Sequence, residues 1–92
     1  MVWNHRVIRH KDTDGSYYYA IHECFYHKST DRIPHSWTED EISPLEKSVE
    51  DLLKTLQWMN VACQKPILEI TEDGNHLREV NVDDKEEEAS KG

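Results

Sequence analysis

No stretch of this chain approaches the roughly 20 consecutive apolar residues that a membrane helix needs. Glycine is scarce: Gly15, Gly74 and Gly92 stand far apart, so neither a phosphate-cradling loop nor a dinucleotide fingerprint is present. Cysteine is scarcer. Cys24 and Cys63 form no C-x-x-C pair and no disulfide framework, which removes the usual signatures of structural zinc and of disulfide-stapled scaffolds. Basic charge is also short, with 11 Lys and Arg against 19 Asp and Glu and a formal net charge of −8. A general binder of nucleic acid or of anionic membranes needs the opposite balance. The opening MVWNHRVIRH has no signal-peptide apolar core, and the expectation is a cytoplasmic protein with free thiols.

What the chain does hold is an aromatic amino-terminal half. Residues 17–27, YYYAIHECFYH, read as a strand with bulky groups on both faces. Alternation puts Tyr17, Tyr19, Ile21 and Phe25 on one side and Tyr18, Ala20, Cys24 and Tyr26 on the other. Residues 3–10 read as a preceding strand through Val7 and Ile8, and Asp12, Asp14 and Gly15 supply turn chemistry for a hairpin. Residues 33–42 read as a third strand around Ser36-Trp37-Thr38, with Pro34 placing its start at an edge. Charge divides along the chain. Residues 1–36 carry five basic and four acidic side chains, a net +1, and residues 37–92 carry six and fifteen, a net −9.

Ser48 has the character of an N-cap, with Glu50 and Asp51 well placed for the exposed amides. Val49, Leu52, Leu53, Leu56, Met59 and Cys63 then recur at helical spacing. The predicted helix covers 49–64 and stops before Pro66. Residues 67–71 read as a short strand, residues 72–75 as a turn, and 76–82 as a candidate returning strand. The fold class expected is therefore α+β: a two-layer β-β-β-α-β domain with a three- to four-stranded, mostly antiparallel sheet and one amphipathic helix on one face. Residues 1–71 form its single domain, 72–82 a turn and extra strand, and 83–92 a disordered acidic tail.

Histidine is the residue type that invites chemistry. His22, Glu23, Cys24 and His27 lie close in sequence, but strand alternation separates His22 and Cys24 from Glu23 and His27. Two ligands from one strand could join His5 or His10 on the paired strand in a zinc site, but no ligand-pair motif supports a metal site. The Asp12-x-Asp14-Gly15 phrase lacks the remaining ligands and closing Glu of a calcium loop. Ser16 and Ser36 have no elbow-like glycine context, and Cys24 has only His22 and Glu23 as sequence neighbours, a proximity that does not make a catalytic dyad. The reading is a chain with no catalytic residue, no cofactor and no metal. The second reading uses Trp3 and the tyrosines with Arg6, Arg9 and Lys11 as a stacking surface for single-stranded nucleic acid, against the net charge.

Trp3-Asn4-x-Arg6-Val7-Ile8-Arg9, Tyr19-Ala20-Ile21-His22-Glu23, Ser36-Trp37-Thr38-Glu39, Ser48-Val49-Glu50-Asp51-Leu52 and Lys65-Pro66-Ile67-Leu68 together resemble a family of small uncharacterised bacterial proteins, across roughly residues 3–70. The resemblance implies a recurring folded module and transfers no activity. A looser likeness is to HicB-type antitoxins, in which a helix opening with a Ser/Thr-Leu-Glu-Glu-like phrase packs on a sheet. Ser48-Val49-Glu50-Asp51-Leu52 is similar to that phrase, while the glycine-rich phrase that usually precedes it is missing. That likeness implies the same element order and an antitoxin role as an alternative.

The leading functional expectation is a non-enzymatic interaction or regulatory protein. It would bind another protein through an aromatic sheet face or an acidic surface, with Tyr18, His22, Tyr26 and Trp37 as candidate contacts. Leu52, Leu53, Leu56 and Met59 are expected to pack on Ile8, Ile21, Phe25 or their opposite-face counterparts, so that Leu56→Ala would cost roughly 2–5 kcal/mol. One helix covers one sheet face, and the opposite face is expected to be closed by a second copy in a homodimer.

Overall fold

Local chemistry builds the hairpin first. In the computed structural model, which describes residues 2–80, β1 (Val2–Lys11) and β2 (Tyr17–Tyr26) pair antiparallel along their full length, from Val2 opposite Tyr26 to Lys11 opposite Tyr17. The Asp12 amide donates to the Ser16 carbonyl at 2.7 Å, and the Asp14 carboxylate accepts from the Ser16 amide at 2.9 Å. Gly15 turns the chain at φ +91°, a conformation that a side chain would strain.

The remaining elements are β3 (Ser36–Trp37), α1 (Val49–Ala62), β4 (Leu68–Ile70) and β5 (Leu77–Glu79). Among the described residues the sheet has five strands in the order β3-β2-β1-β4-β5, with only β1 and β4 parallel. The described residues are thus α+β with one helix, as expected, but the sheet is mixed and larger than three or four strands. The returning strand expected at 76–82 is β5, and the sheet therefore extends beyond residue 71. The tail at 83–92 lies outside the described residues. No described helix is long and apolar enough to cross a membrane.

The third strand is shorter than the expected 33–42. Its ladder holds only at Ser36 and Trp37, although the segment keeps following β2. His35 N–H donates to the Phe25 carbonyl, Thr38 N–H to that of Glu23 and Ile42 N–H to that of Ile21. From Thr38 to Ile42 four residues advance against two on β2, so Glu39, Asp40 and Glu41 bulge outward, as edge strands often do.

Helix α1 begins as anticipated. Ser48 Oγ accepts from the Asp51 amide at 3.0 Å, with Glu50 and Asp51 in the first turn. Its docking is different from the expected one. Only Met59 and Ala62 are buried, and α1 lies over β1 on the side of Trp3, His5 and Val7. Leu56 is 45% exposed and Leu53 56%, which overturns the expectation that they form the core. The helix is rotated so that the edge of its apolar stripe, not the centre, meets the sheet.

The core sits on the other face of the curled sheet. Ile8, Cys24, Tyr26, Leu68 and Leu77 are buried together there, with Trp37 and Ile70 packed against them. The register places all seven on the same face: Ile8 is opposite Leu68, Ile70 opposite Leu77 and Cys24 opposite Trp37. Residues 27–35 close over this face. Pro34 is buried, the Arg32 carbonyl faces Arg6 Nη1 at 3.4 Å, and the Arg32 guanidinium reaches Glu79 on β5 at 3.0 Å. The face opposite the helix, expected to be closed by a second copy, is thus largely covered from within the chain. That face is filled by the sheet's own curl and by a loop which the sequence presents as a polar turn.

Candidate functional site

Strand alternation does put Tyr18, His22 and Tyr26 on one face, and the pairing of Cys24 with Trp37 adds Trp37 to it. They do not make an exposed surface. Tyr26 is buried, its hydroxyl accepting from Arg6 Nη1 at 2.9 Å and donating to Asn4 Oδ1 at 2.9 Å. His22 is 1% exposed, and Trp37 packs against the core. Tyr18 alone is open, at 50%, with its ring stacked on His10 at 5.1 Å. The curl explains the outcome: it turns the middle and far end of β2 inward and leaves only the hairpin tip outside.

Buried polarity on this face is organised around His22. Its Nδ1 lies 2.9 Å from the Thr38 carbonyl, and its Nε2 lies 2.9 Å from His10 Nε2. A carbonyl only accepts, so His22 Nδ1 carries the hydrogen; in the neutral pair His22 Nε2 accepts and His10 Nε2 donates. The two imidazoles thus satisfy each other. Cys24, two residues along, is fully buried, and burial pushes its thiol up to about 12. A thiol held protonated is a poor nucleophile and a poor metal ligand. Among the described residues no group of three or more His, Cys, Asp or Glu side chains could hold a metal ion.

Burial, then the neighbouring His22, holds His10 below the ordinary imidazole range. The folded state therefore takes up its proton at lower pH than the unfolded chain does. The associated stability is present above the unfolded pKa of about 6.5 and is lost as pH falls through the folded value. Denaturation midpoints taken between about pH 8 and about pH 5 should decline on the acid side. In His10→Phe that decline should shrink; an unchanged acid limb would assign the loss to other groups.

The basic side chains of the amino-terminal half are already engaged. Arg6 is buried, and its Nη2 donates to the Pro66 carbonyl at 2.8 Å. Arg9 pairs with Glu69 at 3.1 Å and lies 4.0 Å over the Tyr17 ring, and Arg78 closes on the other oxygen of Glu69 at 3.1 Å. Glu69 thus faces two guanidinium groups. The cationic half of a nucleic-acid surface is largely spent within the fold.

The open surface lies on the helix side. Val49, Leu53 and Leu56 form an exposed stripe along one flank of α1, with Val49 82% exposed. Cys63, which continues that stripe, lines a cleft of about 390 Å³ with Val7, Tyr19, Ala20, Ile21 and Ile67. On the opposite flank of α1, Trp58 (58% exposed) and Trp3 border a second cleft of about 390 Å³ with His5 and Val61. Tyr17 and Tyr19, the exposed aromatics of the helix-side face, continue the surface along β2. Sequence reasoning assigned the leucine stripe to the core and passed over Trp58 and Val61. The available signal was that Trp58 and Val61 fall well round the helix from Val49, Leu53 and Leu56. A helix with apolar groups on two separated sides has more than one surface to cover. Comparison of the chain with protein families, with curated proteins and with solved structures found no match.

Proposed function

We propose that this chain is a non-enzymatic interaction module that binds another protein chain through the apolar surface on the helix side of its sheet. The observation that carries the reading is the docking of α1. It buries Met59 and Ala62 alone and leaves Val49, Leu53, Leu56 and Trp58 open beside an uncovered aromatic sheet face. Exposed apolar surface of this kind on a small domain marks a contact site. Aromatic anchors such as Trp58 and Tyr19 are the residue types that carry contact energy. The internally bonded histidine pair and the protonated Cys24 thiol support a binding role over a catalytic one. The engaged Arg6 and Arg9 weigh against single-stranded nucleic acid.

A photoreactive amino acid in place of Leu53 tests the reading in cells that make the protein. The expected result is a discrete cross-linked protein species, absent when the same group replaces Thr13 at the exposed hairpin turn. Equal labelling from both positions, or none from position 53, would overturn it.

A further inference from the structure

Two imidazoles from neighbouring strands meet nitrogen to nitrogen on the face away from α1. The register sets Tyr18 opposite His10, Ala20 opposite Ile8 and His22 opposite Arg6. His10 and His22 therefore stand two rows apart on one face, and the methyl of Ala20 in the intervening row leaves the diagonal open for their rings. Their Nε2 atoms are 2.9 Å apart. The backbone fixes one half of the pair. The Thr38 carbonyl holds the hydrogen of the buried His22 on Nδ1, at 2.9 Å, so a lone pair stays on Nε2 and is aimed at His10. A ring N–H given to a carbonyl, with the other nitrogen left bare, is the arrangement that orients a histidine toward a metal. His10 is half-buried, and stacking on Tyr18 holds its ring plane.

We infer that His10 and His22 form a two-imidazole site for a divalent transition metal ion, copper(II) ahead of nickel(II) and both ahead of zinc(II). The ion takes the place of the hydrogen between the rings. That hydrogen moves from His10 Nε2 to His10 Nδ1, so the ion meets two lone pairs and the neutral pair loses no proton. The separation chooses among ions. Two nitrogens at a right angle on bonds of about 2.0 Å lie about 2.8 Å apart, whereas a tetrahedral centre spreads them to about 3.3 Å. The observed 2.9 Å matches neighbouring corners of a square-planar or tetragonal ion, and the general order of divalent affinities also favours copper(II). The local charge suits a cation. The Glu41 carboxylate, in the bulge after Thr38, favours positive charge at His10, and Arg6 turns its guanidinium away from the pair to Tyr26 and Pro66. Among the described residues no third side-chain ligand joins the two, so water fills the remaining corners and the ion is exchangeable. The other close histidine pair is no rival. His27 and His35 stack face to face at 3.7 Å and 12°, so their in-plane lone pairs run side by side and meet at no common point. The site lies on the opposite face from the proposed protein contact and stands or falls apart from it.

Calorimetric titration of copper(II) into the full chain tests the site, with Cys63→Ser in place to remove the exposed thiol that copper would oxidise. The expected result is one ion per chain, with nitrogen couplings from two imidazoles in its electron paramagnetic resonance spectrum. His10→Ala and His22→Gln should each weaken binding by at least about 10-fold, and His27→Ala should leave it unchanged. Circular dichroism checks that each variant is folded. His10→Ala alters a half-buried side chain near the hairpin tip, so it keeps the test open if His22→Gln does not fold. In competition against the bound copper, nickel(II) should displace it more readily than zinc(II). No saturable binding, binding that survives His10→Ala, or an equal loss in His27→Ala overturns the site. Displacement by zinc(II) ahead of nickel(II) overturns the right-angled geometry.

Discussion

Replacing Ile8 by alanine should lower stability by about 2–5 kcal/mol, the cost of deleting most of a fully buried aliphatic side chain. Leu56→Ala, measured at submicromolar concentration, should change it by less than about 1 kcal/mol, as exposed positions do. The contrast follows from where the core sits. Ile8 has no exposed surface, stands at the centre of the sheet opposite both Ala20 and Leu68, and joins the cluster of Cys24, Tyr26 and Leu77. Leu56 keeps 45% of its surface in solvent, and alanine at its position favours the helix. Urea titrations of the two variants should give midpoints far apart with similar slopes. Equal losses would mean that the leucine stripe, and not the far face, is the centre of the core.

Arg6→Ala should be the second large loss, about 2–4 kcal/mol, from hydrogen bonds that a charged donor makes to buried acceptors. The guanidinium joins three separate pieces of chain: the Tyr26 hydroxyl at the end of β2, the Arg32 carbonyl in the covering loop and the Pro66 carbonyl before β4. None of these partners is a carboxylate, and among the described residues Nε has no partner, so the charge itself is a burden on the fold. Its retention is explained by geometry. A planar fork spans partners far apart from two separate nitrogens, whereas an ammonium holds all its donors on one. Arg6→Lys should therefore recover less than half of the loss. An alanine variant as stable as the unaltered chain would show that relief of the buried charge outweighs the lost bonds.

The hairpin and the start of α1 were readable because their causes are local. Asp12, Asp14 and Gly15 close a turn among themselves, and Ser48 caps the amide of Asp51 three residues away. Alternation along β2 gave the correct division of its side chains between the two faces. What it could not give was the identity of the inner face, because both faces carry aromatics and aliphatics. That choice is made by contacts such as Arg32 with Glu79 and Arg6 with Pro66, which join residues 47 and 60 positions apart. The burial of most of the candidate contacts has the same origin. Tyr26 and His22 look like surface aromatics until Arg6 and His10 arrive from the neighbouring strand to bond them. The bis-histidine contact itself left only a faint trace, two histidines in strands that a hairpin would bring together.

The parallel pairing of β1 with β4 has a kinetic consequence. β1 is the central strand, yet only one of its edges can be satisfied by the adjacent hairpin. The other edge waits for a partner that arrives 60 residues later, as the Arg6–Pro66 and Arg9–Glu69 contacts record. Closing so long a loop carries an entropic cost before its contacts are rewarded. Collapse should therefore proceed in two stages: a fast antiparallel ribbon of β1 and β2, then a slower docking of the β4–β5 unit against its bare flank. During that interval the strand that later lies deepest in the molecule is the one most open to mispairing with other chains.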